Sequence, residues 1–120
     1  MRRAGVVAAL LLAWASSCSR RASPVEEAQE TVRRFFTALP GKDCDVLRTM
    51  MVIEPSGDDC ASKVDALQQH GLRLVEVLGA EVDGRDPEAV MVRVRLERDG
   101  QRRELSLRVV HQPAGWKLKL

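Results

Sequence analysis

The dipeptide Asp99-Gly100, placed between two alternating segments, is the feature that most constrains how this chain folds. Asp-Gly is among the sequences most favoured in two-residue β-hairpin loops. With these two residues as the loop, Val94 faces Leu105 on one side and Arg95 faces Glu104 on the other. Because a one-residue slip would move every side chain to the wrong face, this agreement predicts an antiparallel hairpin with one apolar face.

Two more strands are expected beside this hairpin. The segment after Gly71 alternates, but its two halves are out of phase, which predicts a β-bulge near Leu74–Glu76. A turn at Val82–Arg85 leads into the hairpin, and a turn at Gln112–Gly115 leads into a last strand, Trp116–Leu120. The second half of the chain is therefore expected to be a four-stranded antiparallel meander.

Helical patterns precede the strands. Ser23–Glu26 is a capping box with proline at the first helical position, and apolar residues follow at helical spacing from Val25 to Leu39. Pro40-Gly41 is expected to end that helix, and Asp43 to cap a second, short one. A third helix, capped by Asp59 or Ser62, would end at Gly71. The expected buried residues of the two later helices are Val46, Leu47, Met50 and Met51, and then Val64, Ala66 and Leu67.

Helices followed by strands with one apolar face each predict an α+β fold, with the N-terminal helices packed on a curved four-stranded antiparallel sheet. The 120 residues suffice for one domain, expected over residues 24–120.

The first 17 residues have the composition of a signal peptide. Arg2 and Arg3 are followed by twelve uncharged, mostly apolar residues, from Ala4 to Ala15. A membrane-spanning helix needs about 20 apolar residues, whereas a secretory signal has an apolar region of about 7–15. Without these residues the chain has equal numbers of basic and acidic side chains, which disfavours nucleic-acid binding.

The segment Ala15-Ser16-Ser17-Cys18 resembles the processing site of bacterial lipoproteins, although leucine is commoner than alanine at its first position. The resemblance implies that residues 1–17 are removed, that Cys18 is lipidated, and that residues 18–23 tether the domain to a membrane. It also implies a periplasm-facing location in the cell envelope, with the outer membrane favoured because no Asp follows Cys18. Cleavage after Ala15 to release a secreted protein, or an uncleaved anchor, remain alternatives.

Lipidation of Cys18 would leave an even pair of cysteines, Cys44 and Cys60. An oxidising compartment favours a disulfide between them, which we predict. Zinc ligation together with His70 and His111 is the alternative, but the spacing of these residues matches no metal motif, and no cofactor is expected.

The domain resembles the nuclear transport factor two-like superfamily, also called cystatin-like. The resemblance rests on the long first helix with Phe35-Phe36, the break at Gly41–Asp43 and the closing segment Gly115–Leu118. The resemblance covers nearly all of residues 24–120. The domain is also similar to small envelope lipoproteins of that superfamily. It implies a cone, formed by the sheet wrapping on the helices, that can hold a small apolar ligand. Some members are isomerases or dehydratases, and many are binding or interaction modules.

Candidate catalytic groups all have a plainer interpretation. Asp43 and Asp45 lie at a helix start, where capping is the ordinary role. His70 lies at a helix C-terminus and His111 at a strand end, and either is more readily a surface residue than a base. The chain has no Tyr, whose hydroxyl the isomerases of the superfamily use.

Arginine is the more informative residue type. Arg93, Arg95, Arg102 and Arg108 share the outward face of the hairpin with glutamates; they form either a solvated, ion-paired face or a basic strip for an anionic headgroup or an acidic protein. Arg103 falls on the core-facing side. Its side chain either extends to solvent or binds an anionic ligand at the mouth of the cone.

Trp116 is expected mainly in the core, with a ligand-stacking role as the alternative. We therefore expect a lipid-anchored, non-enzymatic binding module for a small apolar ligand or an envelope protein, with Arg103 and Trp116 as candidate binding residues. The alternative is a small isomerase- or dehydratase-type envelope enzyme with an acid–base residue inside the cone.

Overall fold

The computed structural model describes residues 23–52 and 60–120. The predicted signal peptide, Cys18 and the tether up to residue 22 lie outside the described residues, as does Asp59. The elements, in chain order, are α1 (Pro24–Ala38), a 3-10 turn (Leu39–Gly41), α2 (Cys44–Leu47), α3 (Cys60–Gln69), β1 (Arg73–Asp83), β2 (Asp86–Arg98), β3 (Gln101–Gln112) and β4 (Gly115–Lys119). The predicted α+β class, with helices preceding and covering an antiparallel sheet, is confirmed.

Helix α1 begins as its capping sequence predicts. The Ser23 hydroxyl accepts a hydrogen bond from the backbone N–H of Glu26 at 3.1 Å, and Pro24 occupies the first helical position. Its apolar stripe, which includes Val32 and Phe35, is fully buried against the sheet. The 3-10 turn then ends with Lys42 in the left-handed conformation, so that the chain reverses into α2.

The four strands pair in sequence order, β1-β2-β3-β4, and every pair is antiparallel. The predicted hairpin register is confirmed, with Val94 opposite Leu105 and Arg95 opposite Glu104. Asp99 and Gly100 both have positive φ, at 52° and 79°, as a two-residue hairpin turn of the type favoured by Asp-Gly requires.

Strand β1 is less regular than its neighbours. The predicted bulge between Leu74 and Glu76 is present. Two further register shifts, at Val77/Gly79 and Val82/Asp83, were not predicted. Each added residue increases local twist.

The inner face of the sheet carries valines and leucines that pack on the helices, and the space between is filled by side chains. Val90, Val92, Val94, Val109 and Leu118 are fully buried there, together with Val32, Phe35, Leu39 and Leu47 from the helical side. What the described residues form is an open four-stranded sheet covered on one face.

Some expected core residues are not buried. Val46 is 44% exposed, because α2 is a single turn and turns only Leu47 fully inward. Ala66 is exposed, since α3 buries Cys60 and Val64 instead. Leu120, the expected last residue of the final strand, lies beyond the end of β4 and is 44% exposed.

Met51 is buried for a reason that periodicity does not reveal. The segment after α2 runs parallel to β4, with Val52 N–H donating to the Leu118 carbonyl and Leu118 N–H donating to the Met50 carbonyl. This short bridge covers part of the β4 edge.

A disulfide joins Cys44, the first residue of α2, to Cys60, the first residue of α3, with Cα atoms 5.9 Å apart. That separation lies inside the usual range of about 4.4–6.8 Å for bonded cysteines. The predicted pairing is confirmed, and it engages the two sulfurs that the zinc alternative needed.

Candidate functional site

The two candidate binding residues, Arg103 and Trp116, lie far apart. Arg103 pairs with Leu96 near the β2–β3 turn, whereas Trp116 pairs with His111 at the other end of β3. Eight residues of strand separate Arg103 from His111, a distance of about 27 Å. The two residues therefore cannot share a small-molecule site.

Arg103 lines an open groove at the turn end of the inner face. This hairpin groove has a volume of about 460 Å³. Its apolar residues are Leu72, Leu96, Leu105, Leu107 and Leu120, and its polar residues are Arg98, Asp99, Gln101 and Arg103. Leu105 is 39% exposed, which is unusual for a leucine on the face that elsewhere forms the core.

The groove lies on the inner face beside the C-terminal end of α3 and the β2–β3 turn. Helix α3 stops at the hairpin turn, where the Asp99 N–H donates to the His70 carbonyl at 2.8 Å. The chain reverses at Gly71, with φ +60°, and places Leu72 on the groove wall. A smaller hollow of about 230 Å³ under α3 shares Leu72 and Arg98 with the groove and extends its apolar surface.

The arginines at the rim of the groove are not matched by carboxylates in ion pairs in the described part of the chain. Within the described residues, Arg98 and Arg103 form no ion pair, while Asp99 contacts the His70 ring at 3.1 Å. Two guanidinium groups that pair with no carboxylate of the described residues thus border an apolar floor. A guanidinium binds a carboxylate or phosphate through paired hydrogen bonds, so this rim suits an anion.

Alternation predicts Arg103 and Leu105 on the inner face, but it identifies neither Arg98 as a groove residue nor the leucines that stay exposed. The lengths of the elements give a signal for exposed strand residues. Strands β2 and β3 have 13 and 12 residues, whereas α3 has only 10 and rises less per residue, so it is much shorter than the strands.

Trp116 lies in a different and wider groove of about 870 Å³ between α1 and the β3–β4 turn. Its indole N–H donates to the Glu27 carboxylate at 2.8 Å, and its ring lies 4.8 Å from that of His111. It is half-buried and packs against the core. The indole N–H already donates to Glu27, and the ring already contacts His111. We therefore assign Trp116 a structural role in joining α1 to β4.

The other candidates lie in surface or capping positions. Asp43 caps α2 by accepting from the N–H of Asp45 at 3.0 Å, as the capping interpretation predicts. The His70 and His111 side chains are 43% and 47% exposed and contact Asp99 and Glu88.

Within residues 23–52 and 60–120, no cluster of three or more His, Cys, Asp or Glu side chains is arranged to hold a metal ion. Among the helices described, none has the length and apolar character needed to cross a membrane.

The outer face of the sheet is largely ion-paired. Each of three rows of charges extends from β1 across β2 to β3. The contacts are Arg73 with Glu97 at 2.9 Å, Arg102 with Glu97 at 3.5 Å, Arg95 with Glu76 at 2.6 Å and Glu104 at 2.7 Å, and Arg108 with Asp83 at 2.6 Å and Asp86 at 3.2 Å. The solvated, ion-paired interpretation therefore describes most of this face.

Hydrogen bonds lower the pKa of two carboxyl groups in these rows. The hydrogen bond from Arg73 holds the pKa of Glu97 below its usual value, and that of Arg73 is raised in return. The backbone N–H of Arg85, followed by the Arg108 side chain, lowers the pKa of Asp83.

No protein family model matches this chain, and no curated protein sequence is significantly similar to it. The interpretation of its site therefore depends on the geometry described above.

Proposed function

We propose that this protein is a lipid-anchored protein of the bacterial cell envelope whose domain binds a small amphipathic anion in the hairpin groove and catalyses no reaction. The ligand has an apolar body and one acidic group, as in a fatty acid. The anchor is the lipidated Cys18, and the domain is a member of the nuclear transport factor two-like superfamily with the groove at the mouth of its cone.

The observation that carries the proposal is the combination of exposed leucines with two guanidinium groups that form no ion pair in the described part of the chain. Burying apolar ligand surface on Leu105, Leu120 and their neighbours gains about 25 cal/mol per Å². Arg103 then supplies a charge-assisted hydrogen bond that fixes the acidic group at the rim. The volume of about 460 Å³ falls within the range of about 300–1,000 Å³ usual for small-molecule sites.

A binding role also agrees with where the titratable groups lie. An isomerase or dehydratase needs a base directed at the reacting carbon in a water-poor cavity. Here both histidines belong to exposed pairs with carboxylates, and Asp43 is used as a helix cap. These placements favour the binding module over the enzyme.

Titration with a fluorescent fatty acid that carries a free carboxylate tests the site. We expect Arg103→Gln to weaken binding at least tenfold, because it removes one charge-assisted contact worth about 1.5–3 kcal/mol. Arg85→Gln is the matched control, since Arg85 is exposed in the β1–β2 turn at the other end of the sheet. Equal losses in the two variants would show that the arginine acts only through net charge, and the groove assignment would be wrong.

The anchor requires a separate experiment. Cells that express the wild-type protein should incorporate labelled palmitate into it, and Cys18→Ala should abolish the label and leave the precursor uncleaved. Wild-type protein released in soluble form with Ser16 as its first residue would contradict the lipoprotein assignment but not the groove.

A further inference from the structure

Arg93 occupies an exceptional position on the outer face of the sheet, opposite to the hairpin groove. The arginines of the three rows around it form ion pairs with carboxylates on other strands. In its own row the neighbours are Gly79 on β1 and Ser106 on β3. Within the described residues its guanidinium therefore has no ion-pair partner.

The geometry around Arg93 forms a shallow notch. A Cβ atom added at Gly79 would lie 3.3 Å from Nη2 of Arg93, so the guanidinium extends over the bare backbone of β1. The notch has a volume of about 410 Å³ and is lined by Gly79, Ala80, Glu81, Met91, Arg93 and Ser106. The missing side chain at Gly79 and the small one at Ser106 leave the donors of Arg93 accessible from solvent.

The notch also holds an opposite charge. Glu81 follows Gly79 by two residues on β1 and forms no ion pair within the part of the chain that the structure describes. Residues two apart on a strand lie on one face, about 7 Å from each other. Because the Arg93 guanidinium lies over Gly79, it is two residues along β1 from Glu81, so a cation and an anion stand on the outer face at about the spacing of alternate strand residues.

We propose that this notch is a docking site for an extended segment of another protein that carries an acidic and a basic side chain two residues apart. The partner's carboxylate pairs with the Arg93 guanidinium, and its ammonium group pairs with Glu81. The Arg93 guanidinium lies over Gly79, which is two residues from Glu81 on β1, so an extended segment with the same two-residue period matches both charges at once. A phosphate or an anionic membrane would satisfy Arg93 and be repelled by Glu81.

The probe is a blocked pentapeptide in which glutamate and lysine are separated by one valine, titrated into the purified protein and followed by NMR. We expect saturable shifts of the backbone amide signals of Gly79 and Ser106. A peptide with glutamine in place of glutamate should bind at least tenfold more weakly. Inorganic phosphate should produce no saturable shift at these positions.

Two variants separate a shaped site from general charge. Arg93→Gln should weaken peptide binding at least tenfold, while Lys119→Gln, which removes the same charge from the same face, should not. Gly79→Val keeps every charge but fills the notch, and should also abolish binding; Gly84→Val is its control, because a Cβ there meets nothing within 4 Å.

Three results would overturn the proposal. One is equal binding by wild type and Gly79→Val, each shown to be folded by its NMR spectrum. Another is phosphate binding at the notch as tight as that of the peptide, which would mean a simple anion site. The third is a wild-type dimer in sedimentation that Gly79→Val converts to a monomer, which would make a second copy of this chain the occupant.

Discussion

Breaking the Cys44–Cys60 disulfide should remove a large part of the stability of this domain. The bond closes a loop with a sequence separation of 16 and ties α2 to α3. In the chain-entropy description, a crosslink of this span stabilises by about 3 kcal/mol through restriction of the unfolded chain. Small domains have total stabilities of about 5–15 kcal/mol, so the loss would be felt throughout the fold.

The assay is urea unfolding, followed by the fluorescence of Trp116, with and without a phosphine reductant. A loss of about 3 kcal/mol shifts the midpoint by roughly 1–3 M urea, because slopes for small proteins are about 1–3 kcal/mol per M. The thermal midpoint should fall by about 12–24 °C, at about 4–8 °C per kcal/mol.

The double variant Cys44→Ala, Cys60→Ala should be slightly less stable than the reduced wild type. Cys60 is fully buried, and its replacement also removes packing within the core. If the reduced and oxidised proteins unfold at the same urea concentration, with reduction confirmed by mass, the crosslink contributes nothing and the reasoning fails.

Three other predictions concern the turn, the outer face and the first helix. Gly100→Ala should lower the free energy of unfolding by about 1–2 kcal/mol, since φ is +79° there, whereas Gly84→Ala should change it little; urea titration compares the two. Because the pKa values of Asp83 and Glu97 are lowered in the folded protein, the stability they add is present above their ordinary values of 3.8 and 4.5 and is lost as the pH falls below them. Unfolding measured from pH 6 to pH 2 should show that decline, and combined replacement by Asn and Gln should flatten it. Ser23→Ala should cost about 0.5–2 kcal/mol through loss of the α1 cap, and Ser23→Gly only a few tenths, as thermal unfolding can measure.

Local rules predicted most of the fold because the side chains that specify each element lie close together in sequence. The cap at Ser23, the Asp99-Gly100 turn and the hairpin register all depend on residues within one element or one turn. The parallel bridge between Met51 and Leu118 joins distant segments. Periodicity carries no information about such a contact.

The candidate site was harder to predict, because it depends on which part of the inner face of the sheet is left uncovered. Alternation correctly placed Arg103 and Leu105 on the inner face, but it carries no information on which part of that face is left exposed. The notch at Arg93 depends on the register shift between Val77 and Gly79, which alternation did not predict. Trp116 was expected mainly in the core, and it is half-buried with its indole N–H bound to Glu27.

The central claim, that the hairpin groove binds an amphipathic anion, is tested most directly by methyl NMR of leucine-labelled protein titrated with decanoate. The account predicts saturable shifts of the Leu72, Leu105 and Leu120 methyl signals, with those of the fully buried Leu47 unchanged. Leucine methyl signals that do not move, or shifts confined to residues beside Trp116, would contradict it.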